Sequence, residues 1–152
     1  MKHLVVAIAM FTAAGSLIAA DHWSGTWNMN GAKSKFIPGP APKSGTTTYS
    51  RDGEWTVLKS ESVNASGKKL ERSNKYKADG KEYPYEGPYG RGTISVTRPD
   101  DHNATATIKL DGGNTVTTKS VISKDGKTRT MTSTGTSAKG EKVDSKVVYD
   151  RQ

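Results

Sequence analysis

Beyond residue 21, polar and less polar positions alternate with a period of two residues. Around residue 130, four threonines occupy every second position, and Arg129, Met131 and Ser133 stand between them. A period of two is typical of a β-strand, whose successive side chains point to opposite faces, and threonine favours strands over helices. No window shows the 3.6-residue stripe of an amphipathic helix. The pattern predicts ten strands, near residues 23–29, 45–51, 54–63, 68–78, 81–86, 92–98, 104–111, 114–123, 127–136 and 141–150.

Turn signals separate these segments at nearly regular intervals. Glycine recurs at positions 53, 67, 80, 112, 126 and 140, and the one long interval holds further breakers at 87–90 and 99–103. Most of these glycines follow an aspartate, and Asp-Gly is a strong hairpin signal because its turn requires positive φ. Successive hairpins predict an all-β protein, a ten-stranded antiparallel up-and-down meander. We expect it to close into a barrel, because closure removes the exposed edges of the sheet.

The first 20 residues have the layout of a secretory signal peptide. A basic start is followed by the uncharged apolar run Leu4–Ala14 and by small residues before Asp21. Cleavage is expected after Ala20, with a boundary as early as Ser16 left open. The apolar run is too short for a transmembrane helix, which needs about 20 apolar residues, and the chain has no cysteine for a lipoprotein anchor. We therefore expect a signal peptide over 1–20 and a single periplasmic or secreted domain over 21–152.

The mature chain is basic. The full sequence has 23 Lys and Arg against 15 Asp and Glu, and loss of Lys2 with the leader leaves 22 against 15, a net charge of +7. This charge favours anionic partners or surfaces. The lysines are dispersed and form no block that would bind nucleic acid. One face of nearly every strand is polar, which argues against a barrel embedded in an outer membrane. We expect a monomer with no nucleic-acid partner and no membrane span.

Several segments resemble the strands of a known superfamily. Trp23–Trp27 resembles the Gly-x-Trp first strand of calycins, which include lipocalins, fatty-acid-binding proteins and avidins. Glu54–Ser62 resembles the third strand of fatty-acid-binding proteins, and Ala106–Gly113 and Val147–Arg151 resemble later strands of that family. Lys33–Lys43 is similar to a segment shared by uncharacterised exported bacterial proteins. The resemblance implies a calycin-like barrel of the lipocalin or fatty-acid-binding type, in an exported bacterial branch.

The resemblance also implies roles for single residues. In calycins the first-strand tryptophan plugs the barrel base under a basic residue of the last strand. Here these residues would be Trp27 and Arg151, in a cation–π contact. By the same likeness, Leu58 and Ser60 would face inward, and Tyr149 matches the tyrosine of the family's carboxylate clamp.

Two departures from fatty-acid-binding proteins affect these expectations. The connection between the first two strands is only about fifteen residues long, 30–44, and carries Pro38, Pro40 and Pro42. Proline disrupts helix interiors, so the helical lid of that family is not expected. The family also places an arginine two residues before the terminal tyrosine, where this chain has Val147. The usual fatty-acid head-group site is therefore in question.

Two arginines share a strand face with apolar or aromatic residues. Arg72 lies on the face of Tyr76, and Arg129 lies on the face of Met131. If these faces point inward, each guanidinium would need an anion from a carboxylate side chain or a ligand. The opposite arrangement, with arginine outside and threonine inside, stays open because a shift of one residue reverses the faces. The candidate ligand-binding residues are Leu58, Ser60, Arg72, Tyr76, Arg129, Met131 and Tyr149.

Catalytic and metal-binding chemistry finds little support. The mature chain holds two histidines, His22 beside the cleavage point and His102 in a polar turn, and no cysteine. No serine stands in a Gly-x-Ser-x-Gly context, and no cluster has zinc-ligand spacing. We therefore expect neither an enzyme nor a bound metal or cofactor.

The sequence favours an exported, non-catalytic protein that binds a small apolar or amphipathic molecule inside its barrel, with an anionic group as one option. Two other classes stay open. One is a protein–protein binder, such as an exported protease inhibitor, that would use the proline-rich segment 36–42. The other is a basic structural protein that adheres electrostatically to a surface.

Overall fold

The computed structural model describes residues 21–152. The predicted signal peptide, residues 1–20, lies outside the described residues. All ten predicted strands are present, and their ends lie within two residues of the expected positions. The strands are β1 Gly25–Met29, β2 Ser44–Asp52, β3 Trp55–Val63, β4 Lys69–Lys77, β5 Asp79–Gly87, β6 Gly90–Thr97, β7 Asn103–Leu110, β8 Thr115–Ile122, β9 Thr128–Thr136 and β10 Lys142–Arg151.

The hairpin between β2 and β3 shows why the Asp-Gly signal identifies a turn. Asp52 pairs with Trp55, which leaves Gly53 and Glu54 as the loop. Gly53 has a φ of 60°, which fits the first central position of a type II′ turn. A side chain at that position would strain the backbone, so glycine fixes the place where the chain reverses.

Hydrogen-bonded ladders join the strands in the order β4-β3-β2-β1-β10-β9-β8-β7-β6-β5. Neighbouring strands are antiparallel, and the first strand pairs with the last, with Trp27 opposite Arg151 and Met29 opposite Tyr149. The sheet therefore curves round so that its first strand, β1, is hydrogen-bonded to its last strand, β10. The prediction of an all-β, ten-stranded, calycin-like barrel is confirmed.

The barrel has one seam, between β4 and β5, which stand at the two ends of the ladder order. The buried side chain of Asn74 bridges this seam. Its Nδ2 donates to the carbonyl oxygen of Glu86 at 2.9 Å, and its Oδ1 accepts from the backbone N–H of Glu86, also at 2.9 Å. One carboxamide thus replaces a pair of ladder hydrogen bonds and brings the edges together.

The connection between β1 and β2 contains a single 3-10 turn, Gly31–Lys33, where a helical lid would stand. Beyond this turn, Lys35 forms an isolated bridge with Lys146 of β10. The hydroxyl of Ser145 then hydrogen-bonds to both the backbone nitrogen and the carbonyl oxygen of Ile37, at 3.0 and 2.9 Å. The connection is therefore tied to β10. Within residues 21–152, no helix is long and apolar enough to cross a membrane.

Two groups of buried side chains line the interior. The larger is mostly aliphatic and comes mainly from β6, β7 and β8. Its members are Tyr76, Tyr85, Ile94, Val96, Ile108, Leu110, Val116 and Val143. The second is mostly aromatic and includes the segment before β1. Its members are Trp23, Trp27, Tyr49, Ala104 and Ile122. The interior is thus aliphatic on one wall and aromatic around the start of β1.

Candidate ligand-binding interior

The strand register decides which face of β3 and β4 points inward. Trp27 is fully buried, at 0% exposure, and marks the inward face. Residues opposite one another in a ladder share a face. Trp27 lies opposite Thr47, Thr47 lies opposite Ser60, and Ser60 lies opposite Arg72. Ser60 and Arg72 therefore face the interior, and the orientation that the sequence left open for Arg72 is settled.

The same relation applies on the other side of β1. Met29, two residues from Trp27 and on the same face, lies opposite Tyr149, and Tyr149 lies opposite Arg129. Residues two apart in a strand share a face, so Met131 also faces inward. The inward face thus holds all seven residues proposed from the sequence: Leu58, Ser60, Arg72, Tyr76, Arg129, Met131 and Tyr149.

Arg129 is a buried charge, with only 4% of its surface exposed. Its guanidinium carbon lies 4.1 Å from the ring centroid of Tyr49 and 5.2 Å from that of Trp23. Nη2 donates to the hydroxyl of Ser120 at 3.3 Å. Nε and Nη1 have no hydrogen-bond partner among the described residues. Cation–π contacts offset part of the lost hydration, but the two bare nitrogens, which carry three N–H donors between them, leave the site short of acceptors.

Neighbouring phenols do not supply the missing negative charge. Burial raises the pKa of Tyr76 to about 12 and that of Tyr149 to about 12. The charge of Arg129 acts in the opposite direction on both groups, but burial is the larger effect. Both phenols are therefore neutral at physiological pH. They add hydroxyl groups to the interior and leave the guanidinium without a counterion.

No carboxylate of residues 21–152 balances the interior charge. Every aspartate and glutamate in this range is exposed or half-buried. The six ion pairs found here involve neither Arg72 nor Arg129, and Arg98 is equally absent from them. Acidic side chains within the strands, such as Glu61 and Glu71, lie on the outward face. The inward face is therefore positively charged.

The structure adds two residues that the sequence did not single out, Arg98 and Trp23. Arg98 follows β6, and its guanidinium carbon lies 4.7 Å from the ring centroid of Trp23. Its Nη2 donates to Thr56 Oγ1 at 3.3 Å. Continuing the alternation of Ile94 and Val96 by one more step would have placed Arg98 on the inward face. No comparable signal in the sequence identifies Trp23 as its partner.

Trp27 and Arg151 form the contact that the resemblance implied for a barrel plug. The guanidinium carbon of Arg151 lies 4.4 Å from the ring centroid of Trp27. Arg151 also donates to three backbone carbonyls, those of His22, Ser24 and Gly126. Because its donors are occupied by the fold, Arg151 ties the N-terminal segment to the last strand and is not a candidate for ligand contact.

Arg72 occupies a different environment from Arg129. It is half-buried, as are Ser60 and Met131, so solvent reaches this part of the inward face. Arg72 is also close enough to Tyr85 to act on its ionisation. Burial raises the pKa of the Tyr85 phenol, and the positive charge of Arg72 opposes that rise. The inward face therefore grades from a half-buried cation at Arg72 to a fully buried one at Arg129.

A cleft of about 150 Å³ lies elsewhere, between β2, β3 and β4. It contains none of the seven proposed residues, and its charged groups, Glu61, Lys69 and Glu71, are of both signs. Among the described residues, no group of three or more histidines or acids could hold a metal ion. The buried, unbalanced positive charge of the interior is thus the better candidate site, and a site of this kind suits non-covalent recognition of an anion.

Comparisons with solved structures find barrels of the same kind. A fatty acid binding protein of Schistosoma mansoni, in complex with arachidonic acid, aligns with a TM-score of 0.60 and 20% identity, over 86% of this chain and 96% of that one. A secretary abundant heat soluble protein of Ramazzottius varieornatus aligns at 0.64 and 11%, over 88% and 97%. A zebrafish ileal bile acid-binding protein complexed with cholic acid aligns at 0.54 and 16%, over 86% and 99%.

These likenesses establish the fold alone, because none exceeds 20% identity. No family model and no curated protein matches the chain. The calycin-like architecture implied by the sequence resemblance is confirmed, whereas membership of an exported bacterial branch stays a prediction.

Proposed function

We propose that the protein is an exported, non-catalytic binding protein whose barrel interior takes a small amphipathic molecule with an acidic group. The observation that carries this proposal is Arg129, which is 4% exposed and has two side-chain nitrogens without an acceptor in the described chain. A buried guanidinium without a counterion is costly. A ligand anion would supply the counterion and the missing acceptors together.

The rest of the barrel interior fits the remaining part of such a ligand. Ile94, Ile108 and Val116 belong to the buried aliphatic wall of β6, β7 and β8. Serine and threonine take other inward positions, including Thr118, Ser120 and Ser133. This mixture favours a compact molecule with an apolar body and a polar end over a long hydrocarbon chain.

The neighbouring structures support the same class of ligand by analogy of fold. The Schistosoma protein holds arachidonic acid and the zebrafish protein holds cholic acid. Both molecules combine an apolar body with a carboxyl group. Fold analogy alone does not transfer a function, so the argument for this chain rests on its own buried arginine. Its net charge of +7 without the leader, 22 basic against 15 acidic residues, would also attract anions.

Two fluorescent probes test the proposal. The protein, expressed with its own leader and freed of bound molecules by a denaturing wash, is titrated with 1-anilinonaphthalene-8-sulfonate, which carries a sulfonate, and with uncharged N-phenyl-1-naphthylamine. Saturable uptake of the sulfonate probe is expected. Native mass spectrometry of protein taken from its own source should show an added small mass. A bare mass with no uptake of either probe would reject the proposal and favour a protein–protein binder that uses segment 36–42.

A further inference from the structure

Five buried side-chain nitrogen atoms lack a hydrogen-bond partner among residues 21–152. They are Trp23 Nε1, Trp27 Nε1, Arg98 Nε, Arg129 Nε and Arg129 Nη1. All five are donors, and none is an acceptor. Buried polar groups are normally paired, so a cluster of bare donors calls for an explanation. Because all five unpaired atoms are donors, their missing partner must supply hydrogen-bond acceptors.

The two arginines of this set converge on one indole. Arg98 and Arg129 lie 4.7 and 5.2 Å from the Trp23 ring centroid, measured from their guanidinium carbons. They come from different parts of the barrel, since Arg98 follows β6 and Arg129 lies in β9. Tyr76 lies within electrostatic reach of both. The barrel therefore places two positive charges around the same aromatic ring.

Two like charges in a poorly hydrated place repel each other. Burial is the largest influence that lowers the pKa of Arg98, and the charge of Arg129 acts in the same direction. Arg51 is also near Arg98 and adds to the positive charge, while its own ion-pair partner is Asp21, at 3.3 Å and at the surface. Asp21 thus balances Arg51, whereas no carboxylate pairs with Arg98 or Arg129, and an anion bound between these two would offset their mutual repulsion.

We propose that Arg98 joins Arg129 in an oxyanion site at the Trp23 end of the barrel, and that this site takes a carboxylate, sulfonate or phosphate group of the ligand. Guanidinium groups match such anions because their N–H donors are arranged in a planar fork. The inference rests on the proposed function. It adds a second binding residue, Arg98, and it assigns the acidic group of the ligand to the Trp23 end of the barrel.

The position differs from the two other arginine environments of the interior. Arg151 is also stacked on an indole, that of Trp27, but its donors are taken by backbone carbonyls. Arg72 is half-buried, as is Arg98, but Arg72 has no nitrogen that is both buried and unpartnered. Only Arg98 and Arg129, among the described arginines, combine a buried, unpartnered nitrogen with contact to Trp23.

The matched pair of probes separates this inference from the proposed function, because the two probes differ chiefly in the sulfonate. For the unaltered protein, the sulfonate probe should bind at least about tenfold more tightly than the uncharged one, as expected for a charge-assisted hydrogen bond. Arg98→Gln and Arg129→Gln should each weaken the sulfonate probe about tenfold and leave the uncharged probe within about twofold. Arg91→Gln is the control, because Arg91 lies on the outward face at 74% side-chain exposure, and it should change neither.

The outcomes are distinguishable. If the unaltered protein takes up neither probe, the proposed function fails. If it takes up both probes equally, the acidic group of the proposed ligand is wrong together with the oxyanion site. If it prefers the sulfonate probe but Arg98→Gln binds that probe as well as the unaltered protein does, the inference about Arg98 is wrong while the proposed function stands. Arg98→Lys is the control for a folding defect in Arg98→Gln, because it keeps the positive charge and loses the planar guanidinium. An intermediate loss for Arg98→Lys supports the site, and an unchanged affinity overturns the role of the guanidinium.

Discussion

Asn74 and Glu86 hold the barrel closed across its one seam, through two hydrogen bonds of 2.9 Å between the carboxamide and the backbone of Glu86. The other neighbouring strands of the barrel are joined by backbone ladders, so the Asn74 side chain has a role that backbone pairing has elsewhere. A carboxamide suits it because it offers one donor and one acceptor, as a peptide group does.

Replacing Asn74 should loosen the seam. Asn74→Leu keeps the side-chain size but removes both hydrogen bonds, and we expect the free energy of unfolding to fall by about 1–3 kcal/mol. Urea unfolding measures this loss, and hydrogen exchange should accelerate first at β4 and β5. Ser73→Ala, at the neighbouring outward position, should have little effect. If the amide protons of β4 and β5 exchange as slowly in Asn74→Leu as in the unaltered protein, Asn74 does not bridge the seam.

Arg129 should lower the stability of the ligand-free protein. Its bare N–H groups are buried at a cost, so Arg129→Met is expected to raise the free energy of unfolding by about 1–3 kcal/mol while it weakens anion binding. Urea unfolding in the absence of ligand measures the effect, with Arg91→Met as the exposed control. A clear loss of stability would show that Arg129 is a structural residue.

Replacing Arg151 should lower the stability of the protein, whereas replacing Arg129 should raise it. Arg151→Gln removes charge-assisted hydrogen bonds to three carbonyls and the contact with Trp27, so we expect a loss of about 2–4 kcal/mol in the free energy of unfolding. Lys146→Gln, at an exposed site of the same strand, is the control. Probe binding by the folded variant should be retained, and a selective loss of binding without a loss of stability would overturn the assignment.

Stability should fall at alkaline pH. The pKa values of Tyr76 and Tyr149 are raised from 10.0 to about 12 in the folded protein. Above pH 10 the unfolded chain therefore releases phenolic protons that the folded chain retains, and the free energy of unfolding decreases as pH rises towards 12. Thermal unfolding between pH 9 and 12 measures the decrease. The double variant Tyr76→Phe, Tyr149→Phe should make the decrease shallower and leave the part that comes from Tyr85, whose pKa is also raised by burial. An unchanged slope would argue against buried neutral phenols at positions 76 and 149.

Export can be tested separately from binding. Expressed in a bacterium, the full chain should be recovered outside the cytoplasm with Asp21 as its first residue, since cleavage is expected after Ala20. Mass spectrometry and N-terminal sequencing identify this end. A variant that lacks residues 2–20 should stay in the cytoplasm. Recovery of the uncleaved chain from the cytoplasm would reject the leader prediction without affecting the barrel.

The alternation of residues along this chain was enough to predict ten strands and their order, because strand formation and tight turns depend on nearby residues. Stretches such as Thr128–Thr136 have a period of two, and Gly53 and Gly126 can adopt the positive φ of their turns. The two edge strands of a meander carry unpaired backbone N–H and C=O groups, and closing the sheet gives these groups partners. The local patterns were therefore enough to predict a barrel.

The same alternation did not decide which face is inside. Arginine and threonine alternate around Arg129, and neither is a typical core residue, so hydrophobicity gives no direction there. Only the register from Trp27 through the ladders sets the face, and only the closed barrel brings Trp23, Arg98 and Arg129 together. These residues are far apart in the chain, and their contact depends on strand tilt and closure, which no local sequence pattern encodes.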